Sequence, residues 1–356
     1  MEPVRFGKYS LLDRISVGGM AEVFRAQTAN DKIVAIKRIL PTVCEDQNFI
    51  KMFVQEARIG GQLFHPNICE TYELGRNDGA HFIAMEYIWG KDLLQIVNRV
   101  RKLKQRIPIV MICAMVTRML DGLDYAHRKR DPVGRSLELV HRDCSPNNVL
   151  VSYEGDVKVI DFGIAKARSR IAQSTVGVLK GKFAYMSPEQ VNGKKIDRRS
   201  DIFALGTILY ECATRERLFT GETDFSILEK VRNVDIRPPH ELWPAIPDGL
   251  EKVILKALAR EVEDRYQWCS EMRADLETFG NASTEQISDW MKELFAKDIV
   301  AEREKFSGTP TAAPVETLDL AADFGSDTQL DAPAFPDLDE GLLTFEDPMP
   351  APKRRR

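Results

Sequence analysis

The chain has 356 residues, of which 44% are hydrophobic, enough for about two ordinary domains or for one enzyme of two lobes. It has no apolar run near the roughly 18 residues of a membrane span and no apolar leader like that of a secreted protein, so we expect a cytoplasmic protein. Its six cysteines include no C-x-x-C pair, so we expect neither a structural zinc nor a disulfide framework. The net charge is −4, but residues 307–352 contain ten acidic and no basic side chains. Residues 1–306, without the four basic residues at the C-terminus, therefore have 46 basic and 44 acidic side chains. This near balance argues against a nucleic-acid partner, because a nucleic-acid-binding domain usually has a clear excess of basic residues.

The first 90 residues favour β-strands. Runs of β-branched and aromatic residues alternate with turn sequences such as Asn30-Asp31 and Asp78-Gly79. One helix, from about Asp46 to Phe64, interrupts them, and residues 1–8 form a short leader. The predicted strands are Tyr9–Arg14, Ala21–Ala26, Lys32–Leu40 and His81–Tyr87.

Helical patterns dominate after Asp92, with one short pair of strands among them. A small β-rich lobe followed by a larger helical lobe indicates an α+β protein of two lobes, and the cleft where they meet is the natural place for a binding site. The clearest predicted helices are Ile109–Lys129, Ser200–Thr214 and Gly249–Ala259, and the strand pair is Val149–Ser152 with Val157–Ile160.

A further helical segment, 281–306, contains the capping box Ser283-Thr284-Glu285-Gln286, which predicts one helix over about 284–305. Its apolar residues form a single stripe. This pattern favours docking on the folded body, and the alternative is a surface for a partner. The residues of the stripe are Ile287, Trp290, Met291, Leu294 and Phe295.

Residues 307–356 form an acidic tail that holds seven of the eighteen prolines, a composition that predicts disorder. The simplest interpretation is a solvated tether. The alternative is a docking arm, because short apolar anchors among acidic residues suit a basic partner or a phosphate-reading domain of the forkhead type. Candidate phosphate acceptors for such a domain are Thr309, Thr311, Thr317, Thr328 and Thr344.

Lys37 ends the apolar sequence Ile33-Val34-Ala35-Ile36-Lys37, where strand alternation places it on one face with Ala35. A charge among apolar residues needs a partner, because an unpaired buried charge is costly. Glu56 lies on the apolar stripe of the predicted helix, where a carboxylate has the same need. Either residue alone is best interpreted as a surface charge, but together they predict a Lys37–Glu56 ion pair.

A second group of polar residues surrounds the predicted strand pair. His141-Arg142-Asp143 is followed after five residues by Asn148, and Asp161-Phe162-Gly163 begins thirteen residues later. Their oxygen atoms are of the kind that magnesium prefers, and magnesium in proteins usually works together with phosphate. Each motif alone arises by chance, whereas their order after Lys37 and Glu56 indicates phosphoryl chemistry.

In this order the motifs resemble those of the eukaryotic-like Ser/Thr protein kinases of bacteria, over residues 9–280. The matching parts are a glycine loop (16–23), V-A-I-K (34–37), H-R-D-x-x-x-x-N (141–148), D-F-G (161–163) and Ser187-Pro188-Glu189. The resemblance implies a bilobal kinase fold, ATP and Mg²⁺ as cofactors, and protein substrates phosphorylated on serine or threonine. It also implies a buried ion pair between Arg265 and Glu189.

The resemblance assigns roles residue by residue. Lys37, held by Glu56, would contact the α- and β-phosphates of ATP. Asn148 and Asp161 would hold magnesium, and Asp143 would accept the proton of the substrate hydroxyl. The residues expected around the nucleotide are Ile15, Ser16, Val17, Gly18 and Gly19 in the glycine loop, Val23 and Ala35 above the adenine, and the backbone of Glu86 and Ile88 along the adenine edge.

Two loops depart from the family's pattern. Ser16 and Ala21 replace two of the three usual glycines, which keeps the backbone amides but allows weaker binding of ATP. Ser145 stands where Ser/Thr kinases usually have a lysine, and Lys182 replaces the threonine that usually contacts that lysine. We hypothesise that Lys182 is catalytic and supplies the displaced positive charge to the transferred phosphate. The alternative is that Lys182 points to solvent or to the peptide substrate.

Gly60 replaces the large apolar side chain that active kinases usually place behind the phenylalanine of D-F-G. In one interpretation Phe64 or Met52 fills the gap. In the other, the helix that carries Glu56 is held loosely until a partner or a phosphate presses it inward.

The segment between Asp161 and Glu189 is expected to be phosphorylated by the enzyme itself. In the family, the arginine before the catalytic aspartate, here Arg142, binds a phosphorylated residue of this segment. The candidate acceptors are Ser169, Ser174 and Thr175, with the last two favoured by their central position.

Two other functions are compatible with parts of the sequence. The altered glycine loop and Ser145 allow a nucleotide-binding pseudokinase scaffold that signals through the C-terminal helix and tail. A small-molecule kinase is disfavoured because Ala184–Gln190 resembles the peptide-binding lobe of protein kinases. An active protein kinase is favoured because the residues that degraded kinases usually lose are all present: Lys37, Glu56, Asp143, Asn148 and Asp161.

Overall fold

The computed structural model describes residues 3–44, 46–162 and 182–307, with the backbone alone for Lys182 and Ser307. The predicted acceptors Ser169, Ser174 and Thr175 lie outside the described residues. The predicted tail beyond Ser307, with its candidate threonines, lies outside them as well.

The N-terminal part contains an antiparallel sheet whose strands are β1 Val4–Phe6, β2 Tyr9–Val17, β3 Ala21–Thr28, β4 Ile33–Ile39, β5 Thr71–Asn77 and β6 Ala80–Glu86. Their order in the sheet is β1–β2–β3–β4–β6–β5. Four of them match predicted strands. Strand β1 lies in the predicted leader and pairs with β2, and β5 is an addition whose polar residues and glycine obscure its alternation.

The two faces of β4 have different surroundings. Val34 and Ile36 pack into an apolar cluster with Phe6, Phe24 and Phe82. Strand alternation turns Ala35 and Lys37 to the other face. Both of these residues are also buried, at 7% exposure each, so the Lys37 charge lies inside the protein.

Helix α1 (Gln47–Gly60) packs beside this sheet and carries Glu56. The carboxylate of Asp46 caps the helix by accepting hydrogen bonds from two backbone amides of the first turn. The helix ends four residues before the predicted boundary at Phe64, because two consecutive glycines, Gly60 and Gly61, disfavour its continuation.

The rest of the described chain is mainly helical. A second sheet of three strands contains β7 Gly90–Asp92, β8 Val149–Ser152 and β9 Val157–Val159. The helices are α2 Leu93–Lys102, α3 Ile109–His127, α4 Pro188–Val191, α5 Arg199–Thr214, α6 Asp224–Asn233, α7 Pro239–Leu242, α8 Asp248–Ala257, α9 Cys269–Glu277, α10 Thr284–Leu294 and α11 Ala296–Ser307.

A strand-rich first part followed by a helical second part confirms the predicted α+β architecture. Helices α3 and α5 form the centre of the helical part, and most of their residues are buried. Within the part of the chain that the structure describes, no helix has both the length and the apolar composition that crossing a bilayer requires.

The C-terminal helical segment differs from the single predicted helix. It forms two helices, α10 and α11, which are separated at Phe295. Phe295 is buried at 3% exposure, and the break lets both it and the later Ile299 face the core. The hydroxyl of Ser288 donates to the backbone oxygen of Tyr153 at 2.8 Å. The predicted docking of this segment on the folded body is therefore confirmed.

All six cysteines lie within the described residues and are free thiols. Cys44 is partly exposed, and the other five are buried. Burial raises the pKa of each of these five thiols, for Cys113 to about 11.

Candidate active site

Lys37, in the middle of β4, contacts two carboxylates. Its Nζ lies 2.5 Å from Oε1 of Glu56 on α1 and 2.7 Å from Oδ1 of Asp161, which follows β9. Burial alone would lower the pKa of Lys37, but the charges of Asp161 and Glu56 outweigh it and raise the pKa above its ordinary value. The predicted Lys37–Glu56 ion pair is thus present, and Asp161 joins it.

Asp161 has a φ of 58°, in the left-handed region that residues other than glycine seldom adopt. The following residue, Phe162, is buried, and its ring centroid lies 4.7 Å from that of His141. The packing of Phe162 on one side and the ion pair with Lys37 on the other hold Asp161 in this strained conformation.

Asn148 and Asp143 are joined by hydrogen bonds within the loop that precedes β8. Asn148 lies in a short 3₁₀ turn, Pro146–Asn148. Its Nδ2 donates to the backbone oxygen of Asp143 at 2.7 Å and to the Oδ2 atom of the same residue at 3.3 Å. These bonds orient the Asp143 carboxylate and turn Oδ1 of Asn148 away from it.

Asp201, 1% exposed near the start of α5, fixes the backbone of the same loop. It accepts hydrogen bonds from the backbone amides of His141 and Arg142, both at 2.8 Å, and from Nε2 of His127 at 2.8 Å. Burial alone would raise the pKa of Asp201, but the hydrogen bond and charge of His127 hold it below its ordinary value. Because Arg142 has a φ of 65°, these bonds also stabilise a strained backbone.

The glycine loop is the hairpin between β2 and β3. The amide of Gly18 donates to the backbone oxygen of Ala21 at 2.8 Å and closes the turn. Ser16 pairs with Val23 just after a register shift between Arg14 and Ser16, and Ala21 pairs with Ile39 of β4, so both substituted glycine positions lie within the sheet. The predicted phosphate-loop residues are all exposed on it: Ile15, Ser16, Val17, Gly18 and Gly19.

The predicted adenine site lies between β4 and the segment that follows β6. Ala35 pairs with Met85 in register, and Val23 pairs with Lys37, so these side chains share one face of the sheet. Lys158 holds the Glu86 carboxylate at 2.8 Å. Among the described residues, the backbone amide of Ile88 has no hydrogen-bond partner and is available to a ligand.

A cavity of about 30 Å³ lies behind Met85, between α1 and Phe162. Gly60 forms one wall, and a Cβ atom there would lie 2.4 Å from Oγ1 of Thr71. The prediction that Phe64 or Met52 fills this gap is wrong: Phe64 follows the end of α1 and is 58% exposed, and neither residue lines the cavity. Thr71 occupies the space in front of Gly60 instead.

The oxygen atoms of Asp161 and Asn148 suit magnesium. A carboxylate and a carboxamide are the hard donors that this ion prefers, and magnesium usually completes its shell with phosphate and water. Within the described ranges, no cluster of three or more His, Cys, Asp or Glu side chains offers a metal site of its own. These two donors are therefore compatible with a magnesium ion that takes its remaining ligands from phosphate and water.

Glu189, on α4, is held by Arg265 and Ser200. Its two carboxylate oxygens each accept a bond of 2.8 Å from Arg265, as the resemblance implies, and Ser200 Oγ donates to one of them at 2.5 Å. Ser145 is buried in the same loop as Asp143. The backbone of Lys182 begins a 3₁₀ turn that ends at Tyr185, but the Lys182 side chain lies outside the described atoms, so its catalytic role stays a prediction.

The sequence analysis missed two residues of the site. Lys158 lies between two valines in β9. A charge in such an apolar strand pattern needs a partner, which is the argument that identified Lys37. Thr71 begins β5, whose only sequence signals are the alternation of Tyr72 with Leu74 and the Asp78-Gly79 turn.

Residues 9–276 match the protein kinase domain family. The chain is 38% identical over 317 residues to the tyrosine-protein kinase MasK of Myxococcus xanthus, covering 86% of this chain and 49% of that protein. It is 34% identical over 274 residues to the serine/threonine-protein kinase PrkC of Bacillus subtilis, covering 76% of this chain and 40% of the relative. The serine/threonine-protein kinase PknB of Mycobacterium leprae is 34% identical over 278 residues, with coverages of 76% and 42%.

The chain thus spans about half, or less, of the length of these relatives. The fold is similar to the crystal structure of the PknI kinase domain of Mycobacterium tuberculosis, with a TM-score of 0.59 at 25% identity, covering 79% of this chain and 99% of that one. Motif order, fold and relatives agree. The chain belongs to the protein kinase family, and serine/threonine-protein kinases of bacteria are among its relatives.

Proposed function

We propose that the chain is an ATP-dependent protein kinase that phosphorylates serine or threonine side chains of other proteins. The observation that carries this proposal is the contact of Lys37 with both Glu56 and Asp161 next to the joined pair Asp143–Asn148. A cation for phosphate, oxygen donors for magnesium and a carboxylate for the acceptor hydroxyl then lie in one cleft.

Each residue has a distinct task in this proposal. Lys37 binds the α- and β-phosphates, and Glu56 keeps its ammonium in place. The amides of the glycine loop cradle the phosphates, while the backbone of Glu86 and Ile88 contacts the adenine edge. Asp161 and Asn148 hold Mg²⁺, which when bound neutralises charge on the phosphoryl group.

Asp143 orients the acceptor hydroxyl and takes its proton. Asn148 supports this task by fixing the Asp143 carboxylate through its 3.3 Å bond. We also propose that Lys182 supplies the positive charge that Ser145 does not, since charge stabilisation dominates phosphoryl transfer.

A second candidate is transfer to tyrosine. The relative MasK is named a tyrosine-protein kinase and covers 86% of this chain. In addition, the two positions that in Ser/Thr kinases usually carry a lysine and its threonine partner are here Ser145 and Lys182. Because neither the usual lysine nor the usual threonine is present at these positions, the region that receives the acceptor residue is compatible with a tyrosine hydroxyl.

The test is transfer of the labelled γ-phosphate of ATP to a generic basic protein by the purified chain, with magnesium and with a chelator. Wild type should transfer phosphate only with the metal, and Asp143→Asn should lower turnover about 10²–10⁴-fold while nucleotide binding persists. Acid hydrolysis of the product separates phosphoserine and phosphothreonine from phosphotyrosine. Binding of nucleotide without any transfer would favour the pseudokinase scaffold instead.

Three finer expectations belong to the same proposal. The free thiols suit a reducing compartment such as the cytoplasm. Ser174 or Thr175 is autophosphorylated in the active enzyme, which mass spectrometry would detect. Residues 307–356 act as a tether or as a docking arm for a basic or phosphate-reading partner.

A further inference from the structure

The last described helix, α11, contacts the segment that leaves the adenine site. Trp89 directly follows Ile88, and its Nε1 donates to Oε2 of Glu302 at 2.9 Å. Lys91, two residues further, lies 2.6 Å from Oε1 of the same carboxylate. One side chain of α11 therefore holds both residues that flank Gly90.

The inner side of this segment is equally constrained. The backbone oxygen of Trp89 accepts a 2.9 Å bond from the amide of Tyr153, and the two rings meet edge to face at 5.2 Å. A Cβ atom on Gly90 would lie 2.1 Å from the backbone oxygen of Val151, so the chain touches β8 without room for a side chain. The exit from the adenine site thus lies fixed between β8 and α11.

The end of α11 reaches the N-terminal sheet. The guanidinium of Arg25 on β3 lies 3.7 Å from the ring centroid of Phe306, within cation–π distance. Arg25 is 6% exposed, and its Nε donates to Asp13 on β2 at 2.6 Å. Because Arg25 pairs in register with Ala35, both side chains lie on the face of the sheet that covers the adenine site.

The side chain of Tyr87, between Glu86 and Ile88, lies within range of three of these charged groups: Arg25, Glu302 and Asp13. Burial raises its pKa to about 12; Arg25 opposes that rise, and Glu302 and Asp13 add to it. The start of α11 is fastened to the helical part by Asp298, whose carboxylate lies 2.5 Å from Arg99. Helix α11 therefore contacts the helical part, the Tyr87–Lys91 segment and the N-terminal sheet.

We propose that Phe306 and Glu302 of α11 are positioning residues for ATP: they hold the sheet and the Tyr87–Lys91 segment in the arrangement that binds the nucleotide. This inference rests on the proposed kinase function and adds to it a part of the chain beyond the matched kinase domain. Separation of the sheet from the helical part would break the Arg25–Phe306 contact, so that contact favours the closed cleft.

The test uses the full-length chain and compares Phe306→Ala with Val300→Ala, a control at an exposed position of the same helix. Loss of a cation–π contact should raise KM for ATP about three- to tenfold in Phe306→Ala, with KM for the peptide substrate and kcat nearly unchanged. The affinity for ADP, measured by calorimetry without peptide, should fall by the same factor. Phe306→Tyr keeps an aromatic face and should behave like wild type.

A double-mutant cycle with Arg25→Met checks that the effect passes through this contact. After Arg25→Met, the change Phe306→Ala should have little further effect on KM for ATP; independent effects of the two changes would overturn the proposal. If Phe306→Ala does not fold, Phe306→Leu, which keeps apolar volume without an aromatic ring, gives the same comparison. An unchanged KM for ATP, or equal losses in kcat and both KM values, would overturn it as well.

The result also separates this inference from the proposed function. A wild-type chain that transfers phosphate, together with a Phe306→Ala variant of equal ATP affinity, would contradict the role of α11 alone. A wild-type chain that neither binds nucleotide nor transfers phosphate would contradict the kinase function itself.

Discussion

The ammonium of Lys37 and the carboxylate of Asp161 lie 2.7 Å apart, although 124 residues separate them in the chain. Glu56 contacts the same ammonium from α1, so two carboxylates share one cation. In the proposed function, a nucleotide that carries magnesium would complement this group, since its phosphates would meet Lys37 and its metal would meet Asp161.

Replacement of Lys37 by methionine should lower the rate of phosphate transfer at least about 10²-fold, to below the detection limit of an ordinary assay. The reason is that a fixed cation next to the phosphates is removed. The protein should still fold, which thermal unfolding followed by circular dichroism can check. Lys8→Met is a matched control, since Lys8 is an exposed lysine at the edge of the sheet. Wild-type activity in Lys37→Met would contradict the site assignment.

Lys182→Met should lower turnover about 10²-fold if this lysine supplies charge to the transferred phosphate. Lys194→Met, at an exposed position five residues after Glu189, should leave turnover unchanged. Adding Ser145→Lys to Lys182→Met returns a lysine to the usual family position and should restore part of the activity. Near-normal turnover of Lys182→Met would mean that its side chain points to solvent or to the substrate.

Gly60→Ala should destabilise the protein even though alanine favours helices by about 1 kcal/mol, because overpacking typically costs about 1–3 kcal/mol. The new Cβ would meet Thr71 Oγ1 at 2.4 Å. Urea denaturation should show a lower free energy of unfolding for this variant. Combining it with Thr71→Ala should recover the loss, and Thr71→Ala alone measures the contribution of the threonine; failure of the double variant to recover would show that Thr71 is not the obstacle.

The buried pair Glu189–Arg265 should make stability depend on acidic pH. Burial alone would raise the pKa of Glu189, but the hydrogen bonds and charge of Arg265 hold it below its ordinary value of 4.5. A carboxylate with a lowered pKa contributes stability above that value and loses the contribution as pH falls through its lowered, folded-state pKa. The free energy of unfolding should therefore decline less steeply with acid in Glu189→Gln, which is less stable at neutral pH. Equal slopes in both proteins would contradict this prediction.

Deletion of residues 307–356 should leave the activity on a generic substrate nearly unchanged, because basic residues occur only in the last four positions of this acidic segment. Phosphorylation of the true partner should weaken if the segment is a docking arm. A large rise in generic activity on truncation would instead indicate autoinhibition, and neither the tether nor the docking interpretation would then hold.

The sequence was sufficient to predict the residues whose chemistry conflicts with their surroundings. Lys37 and Glu56 are charges in apolar patterns, and Asp143, Asn148 and Asp161 follow family spacing. The contacts of α11 could not be predicted in this way. Trp89 and Glu302 are 213 residues apart, and neither breaks a local pattern, so only the folded chain brings them together.

The helix break at Phe295 and the contact of Thr71 with Gly60 could not be predicted from the sequence for a related reason. Helical periodicity continues through Phe295, and only the burial of both Phe295 and Ile299 in one core separates α10 from α11. Thr71 lies in a strand of intermediate burial, whose pattern is weak because neither of its faces is fully covered.

The distribution of the cysteines gives the protein an internal reporter of its own unfolding. With five thiols buried and one partly exposed, a colourimetric thiol reagent added to the native protein should react quickly with Cys44 alone. The five buried thiols become reactive only when the regions around them open. Cys69 borders the cavity behind Met85, whereas Cys212 is buried in α5, in the core of the helical part. The order in which the thiols are labelled would therefore reveal whether the nucleotide cleft opens before the helical core.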